Sequence, residues 1–106
     1  MEYTPQKDFY SKIISLEDFD GNSLTGRKLR YRNRIYYVVW SYATPVLGIC
    51  LYTDEVILNK TRYSATTSRH QNLIQCAVDD MCGFRTARKF YDLPRGNLYG
   101  FLGLFA

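Results

Sequence analysis

The stretch Tyr63-Ser-Ala-Thr-Thr-Ser-Arg-His-Gln71 sets the architecture that the sequence predicts. A strand-like run, Glu55 to Asn59, leads into it. Thr66, Thr67 and Ser68 then offer side-chain oxygens to the free N–H groups of a helix start. Ser68 followed by Gln71 fits a capping box, in which each side chain satisfies the other residue's backbone donor. Beyond it Leu73, Ile74, Ala77, Val78 and Met81 recur at helical spacing, and Gly83 is placed to close the helix. The expected fold is α+β: a small antiparallel sheet of about four strands packed on this central capped helix.

Upstream, Thr4-Pro5 is a helix opening, with Thr as N-cap and Pro at the first helical position. Phe9, Tyr10, Ile13, Ile14 and Leu16 continue it as an apolar stripe, predicting a short N-terminal helix from about Pro5 to Ser15. Asp18 to Ser23 carries turn chemistry and ends that element. From Lys28 to Tyr42 the chain alternates and is rich in β-branched and aromatic residues, which predicts a strand, a tight turn near Asn33 and a second strand. Leu29, Tyr31, Ile35, Tyr37 and Val39 fall on one parity, and Lys28, Arg30, Arg32 and Arg34 on the other. Thr44-Pro45 is read as an interruption. Val46 to Tyr52, a turn at Thr53-Asp54 and Glu55 to Asn59 complete a hairpin.

Downstream, Phe84, Ala87 and Phe90 or Tyr91 suggest a second short helical stripe, with Arg85, Arg88 and Lys89 on its outside. Leu93-Pro94-Arg95-Gly96 breaks it. The segment Asn97 to Phe105 is apolar on both parities, and either docks against the core or forms a partner-binding patch.

Composition bounds the function. The 106 residues fit one domain, 1–106, and the 46% hydrophobic and 16% aromatic content excludes a disordered chain. The 10 tyrosines suit half-buried strand positions, and a minority suit an interface. A net charge of +4 suggests an anionic partner and excludes an acidic DNA mimic. Cys50, Cys76 and Cys82 are odd in number with no close-set pair, so buried thiols in a reducing, cytoplasmic setting are expected rather than disulfides. No secretion signal or membrane-length apolar run is read.

Two candidate sites emerge. Lys28, Arg30, Arg32 and Arg34, interleaved with Tyr31, Tyr36 and Tyr37, suit a partner- or nucleic-acid-binding ribbon, because same-face residues on a strand are ~6.6–7 Å apart, near the phosphate spacing of a single strand. Tyrosines beside them can stack on bases. The alternative is the solvated face of an edge strand, where Lys and Arg discourage sheet aggregation. Arg85, Arg88, Lys89 and Arg95 form a second basic cluster, with a solvated helix face as the simpler reading. Thr67, Ser68, Arg69 and His70, at a helix start, form a possible anion site; helix capping, with His70 bonded to a strand carbonyl, explains the same residues without a ligand. No catalytic set is read, since neither Ser64 nor Ser68 with His70 has an orienting acid nearby in sequence. No metal or other cofactor is expected: the intervals of six between His70, Cys76 and Cys82 lack the short clasp of structural zinc sites.

Trp40-Ser-Tyr-Ala-Thr44, a hairpin, and then Tyr63-Ser-x-Thr-Thr-Ser-Arg-His-Gln71 resemble a group of small proteins encoded by phages and mobile elements of Gram-positive bacteria. In that group a Ser-Tyr-x-Thr strand precedes a short hairpin and a Tyr-Ser-x-Thr-Thr-x-(Lys/Arg)-His motif that opens a helix. The match spans Trp40 to Val78, and Leu73 and Ile74 stand where a Phe commonly follows the histidine. The resemblance implies a non-catalytic inhibitor of host defence in the cytoplasm of an infected bacterium. An anti-CRISPR protein that binds a type II CRISPR effector nuclease, or its guide-RNA complex, and blocks nucleic-acid engagement is the specific expectation. The alternative is a small basic nucleic-acid-binding accessory or regulatory protein.

Overall fold

In the computed structural model, residues 5–59, 65–81, 88–91, 101–103 and 105 are described, with only the backbone given for 6, 65–67, 81 and 88–91. Among the described residues six strands form one sheet, side by side in the order in which they follow in the sequence. The first five pair antiparallel and the sixth joins parallel to the fifth, so the α+β architecture holds with more strands than the sequence predicts.

The N-terminal helix α1, Phe9–Ile14, follows a 3-10 turn at Gln6–Asp8 and is shorter than the apolar stripe predicts. Phe9 and Ile13 point into the core. The helix closes because Leu16 turns left-handed, at φ 56°. The Glu17 N–H then reaches the Lys12 carbonyl at 2.9 Å and the Leu16 N–H reaches Ile13 at 3.0 Å, the paired bonds of a Schellman stop.

Residues 18–23 are more than a turn. Phe19–Asp20 is a two-residue strand, β1, paired with Gly26 and Thr25. The buried Phe19 ring overrides the turn chemistry around it, and Gly26 leaves room for that ring. Arg27 fastens the strand, its guanidinium donating to the carbonyls of Phe19 and Gly26 and pairing with the Asp20 carboxylate.

Strands β2, Leu24–Tyr31, and β3, Arg34–Ser41, form the long hairpin predicted from the Lys28–Tyr42 pattern. The turn is Arg32-Asn33, with φ 51° and 65°, as a type I′ turn requires at both central residues. Tyr31 therefore pairs with Arg34 and Leu29 with Tyr36. A two-residue turn exchanges the parities, so Tyr31 and Tyr37 lie on opposite faces, contrary to the simple alternation.

Thr44-Pro45 does not interrupt the sheet. Strand β4 runs Thr44–Cys50, and Pro45 faces Trp40 where the register shifts after Val39. A proline is tolerated at such an irregularity because fewer ladder N–H groups are required there. The strand ends at Cys50 rather than Tyr52, and the next strand, β5, Val56–Asn59, is buried at every position, as expected for an interior strand. Arg88–Tyr91, expected as helix, has strand backbone and forms β6, with Val56 opposite Arg88. The unpaired edge of β5 outweighs a weak helical stripe; residues 84–87 lie outside those described.

The long helix α2 spans Ala65–Met81. Ser68 lies inside it rather than at its start, so the proposed capping box does not form, and Gln71 instead donates its amide to the Asn59 carbonyl at 2.6 Å. The position that caps Ala65, and Gly83, lie outside the described residues. Ile74, Ala77 and Val78 are fully buried as predicted and pack with α1 on Tyr37, Val39, Leu47, Ile49, Val56 and Leu58. The opposite face of the sheet carries Tyr36, Val38, Cys50 and Ile57, covered by Phe101, Leu102 and Phe105. The apolar segment at the end of the sequence is core at those three positions.

Candidate functional site

The basic residues converge on the tip of the β2–β3 hairpin. Lys28, Arg30 and Ile35 share the helix-side face beyond the helix layer; Lys28 and Arg30 are exposed, and Ile35 is 43% exposed. Arg32 sits at the turn itself. Arg34, Tyr31 and Tyr36 lie on the other face. The cations therefore lie on both faces of the hairpin end and at its turn rather than line one face, as a single-sided ribbon would.

Two of the arginines are held by rings. The Arg32 guanidinium lies 5.2 Å from the Tyr31 ring centre, and that of Arg34 5.1 Å from Tyr52. Such stacking covers one flat side of the guanidinium and leaves its N–H edge directed outward. Tyr36 is only 4% exposed, so it serves as a wall more than a contact surface. Burial raises the Tyr36 hydroxyl above the usual phenol range, nearby Cys50 adds to this, and a hydrogen bond from Arg34 opposes it. Burial also pushes the Cys50 thiol up, but hydrogen bonds from Thr53 and Tyr52, with the Arg34 charge, outweigh it and lower the pKa below the ordinary range.

Tyr31, Arg32, Arg34, Tyr36, Leu102 and Phe105 enclose a half-open cavity of about 280 Å³ between the hairpin and the segment beyond β6. Its contact between hairpin and chain end was not legible in the sequence, because no periodicity links Tyr31 to Phe105. Tyr52 was likewise missed, since its turn position carries no pattern.

The second predicted cluster, Thr67 to His70, is divided by the helix. Arg69 is exposed, Ser68 is half-buried, and His70 turns into the core at 6% exposure. The His70 ring bonds Ser41 through Nδ1 at 2.8 Å and Ser23 through Nε2 at 3.3 Å, instead of a strand carbonyl. Both ring nitrogens are thus engaged by protein hydroxyls. Burial lowers the His70 pKa below its ordinary value. Tyr42, left-handed at φ 55°, places its ring 6.4 Å from the imidazole. The Ser41-Tyr-x-Thr44 and His70 parts of the motif therefore meet in space.

Of the remaining candidates, Arg88 and Lys89 lie opposite Val56 and Ile57 in β6, and Arg85 and Arg95 are outside the described residues. Cys50 is buried beneath the sheet's second face, whereas Cys76 is exposed on α2, against the expectation that both thiols are buried. Among the described residues no three His, Cys, Asp or Glu side chains gather to hold a metal ion. No described helix is long and apolar enough to cross a membrane.

Residues 1–90 match DUF8033, a family of unknown function. The chain belongs to this family. No curated protein and no solved structure matches it. The DUF8033 match includes the whole hairpin, α2 and the His70 cluster, while Phe101, Leu102 and Phe105 lie beyond it.

Proposed function

We propose that this DUF8033 member is a non-catalytic interaction protein that docks through the β2–β3 hairpin tip and inhibits a host defence. The observation that carries the reading is the basic end of the hairpin: Lys28 and Arg30 are exposed on one face, Arg34 lies on the other, and Arg32 is exposed at the turn between them. Cations on both faces of the hairpin end and at its turn suit an anionic partner surface, where charge complementarity speeds encounter and sets specificity. The resemblance of the Tyr63–Gln71 motif to phage and mobile-element proteins supplies the setting. In that setting the partner is a type II CRISPR effector nuclease or its guide-RNA complex, and docking blocks nucleic-acid engagement.

Co-purification with type II effectors, together with a plasmid-interference assay, tests the reading. Capture of an effector and restored plasmid survival are expected, both lost when Arg30 and Arg32 are reversed to Glu. Failure to bind any effector, with interference unchanged, would sink it.

A second reading, a nucleic-acid-binding accessory protein, is favoured by the ring-stacked arginines. It predicts gel retardation that weakens steeply as salt rises, because neutralised phosphates release counterions. Retardation indifferent to salt would count against it.

A further inference from the structure

We propose that the cavity between the hairpin tip and Leu102, Gly103 and Phe105 binds a nucleotide, either free or as one unit of a single strand. This goes beyond the docking reading, since it assigns a ligand to a cavity and holds whichever partner the exposed tip meets.

The cavity has two unlike parts, and a nucleotide is divided in the same way. Arg32 and Arg34 line one part of it, each stacked on a tyrosine ring, at 5.2 and 5.1 Å. Two forked cations lining one cavity match the oxygens of a phosphate, which carries about −1.5 to −2 charges as a monoester at neutral pH. Within, Tyr31, Tyr36, Phe105 and Leu102 supply flat and apolar walls. Tyr31 and Tyr36 are tilted at 6.4 Å and Tyr36 and Phe105 at 5.0 Å, so the rings form a continuous aromatic lining. A base stacks on the half-buried Tyr31 ring without regard to its identity, against the floor that Tyr36, Phe105 and Leu102 close. Inorganic phosphate would leave that lining unused, and a neutral aromatic would leave the arginines unused. The volume of about 280 Å³ is close to the lower end of ligand pockets, ~300 Å³, and suits one nucleotide unit rather than a long segment. The lining is also preorganised: Tyr36 is nearly fully buried, and Gly48 admits Phe101 and Phe105 against the sheet.

Titration of the full chain with AMP, read from backbone amide shifts, tests the assignment. Saturable shifts at Tyr31–Tyr36 and Leu102–Phe105 are expected, with adenosine and inorganic phosphate each at least about tenfold weaker. Arg32→Glu should weaken AMP by about tenfold or more while leaving a dispersed native spectrum, and Tyr31→Leu should do so from the ring side. Lys28→Glu, on the opposite face, should leave AMP binding intact while weakening partner capture, which separates this site from the docking reading. An oligothymidylate separates the two sources: tighter binding than AMP at the same residues assigns a strand, and equal binding assigns a free nucleotide. No shift at these residues with millimolar AMP would overturn the proposal. So would phosphate alone equalling AMP, or N-acetylphenylalanine binding more tightly than AMP.

Discussion

His70 joins three parts of the chain that are far apart in sequence. Its ring nitrogens engage Ser23, before β2, and Ser41, at the end of β3, while the Tyr42 ring lies beside it. A neutral imidazole meets both hydroxyls with one donor and one acceptor, so the buried ring is satisfied without charge. Ser41→Ala removes a buried partner at 2.8 Å and is expected to cost about 1–3 kcal/mol, measurable by urea denaturation at neutral pH. Burial depresses the folded-state pKa below the ordinary 6.5. The unfolded chain therefore binds its proton at higher pH than the folded chain does. Stability is fully present above about pH 6.5 and is lost as pH falls through the folded value. As His70 is the only histidine, this slope belongs to it, and His70→Gln should flatten the urea midpoint between about pH 7.5 and 5. A wild-type midpoint constant over that range would show that the buried ring does not resist protonation.

Among the elements, the β2–β3 hairpin shows most clearly what sequence patterning reveals and where it stops. Alternation located both strands and the turn near Asn33, since strand residues repeat every second position whatever lies around them. Face assignment failed because a two-residue turn sets facing residues an odd number of positions apart, so they have opposite parity: Tyr31 meets Arg34, and not a residue of its own parity. The apolar stripe of α2 was legible for a similar local reason, but its start was not. Ser68 fits a capping box locally, yet Gln71 is drawn to the Asn59 carbonyl, a contact that no short-range signal marks. The basic residues were legible in the sequence, but their arrangement around the turn was not. That turn carries its own tension. Arg32 is left-handed at φ 51°, where a residue with a β-carbon costs about 1–2 kcal/mol and Asn or Gly costs less. Replacing Arg32-Asn33 by Asn-Gly is expected to raise stability by about 1 kcal/mol, because it supplies the preferred type I′ pair. The same change removes a tip cation and should weaken partner capture. A variant that gained stability and kept full binding would separate the strained turn from function.

Across the whole molecule, the two faces of the sheet are covered by different means. Helices α1 and α2 cover one, within the residues that match DUF8033, and Phe101, Leu102 and Phe105 cover the other, beyond the match. The apolar character of that last segment was plain from composition. Its destination was not, because docking against β4 depends on a vacancy at one glycine. A β-carbon at Gly48 would lie 2.5 Å from the Phe101 ring and 3.1 Å from that of Phe105. Gly48→Ala is thus expected to destabilise by about 1–3 kcal/mol through overpacking. Phe101→Ala empties the same space and should cost about 3–5 kcal/mol. The two effects share one volume, so the double variant should be less destabilised than their sum, as the added methyl enters the space the ring has left. Urea denaturation of the four chains measures this coupling. Agreement with simple addition to within about 0.5 kcal/mol would mean that Phe101 does not rest on Gly48 in solution. In that event the second face, and with it the cavity beside Tyr31 and Arg34, would have to be closed by some other part of the chain.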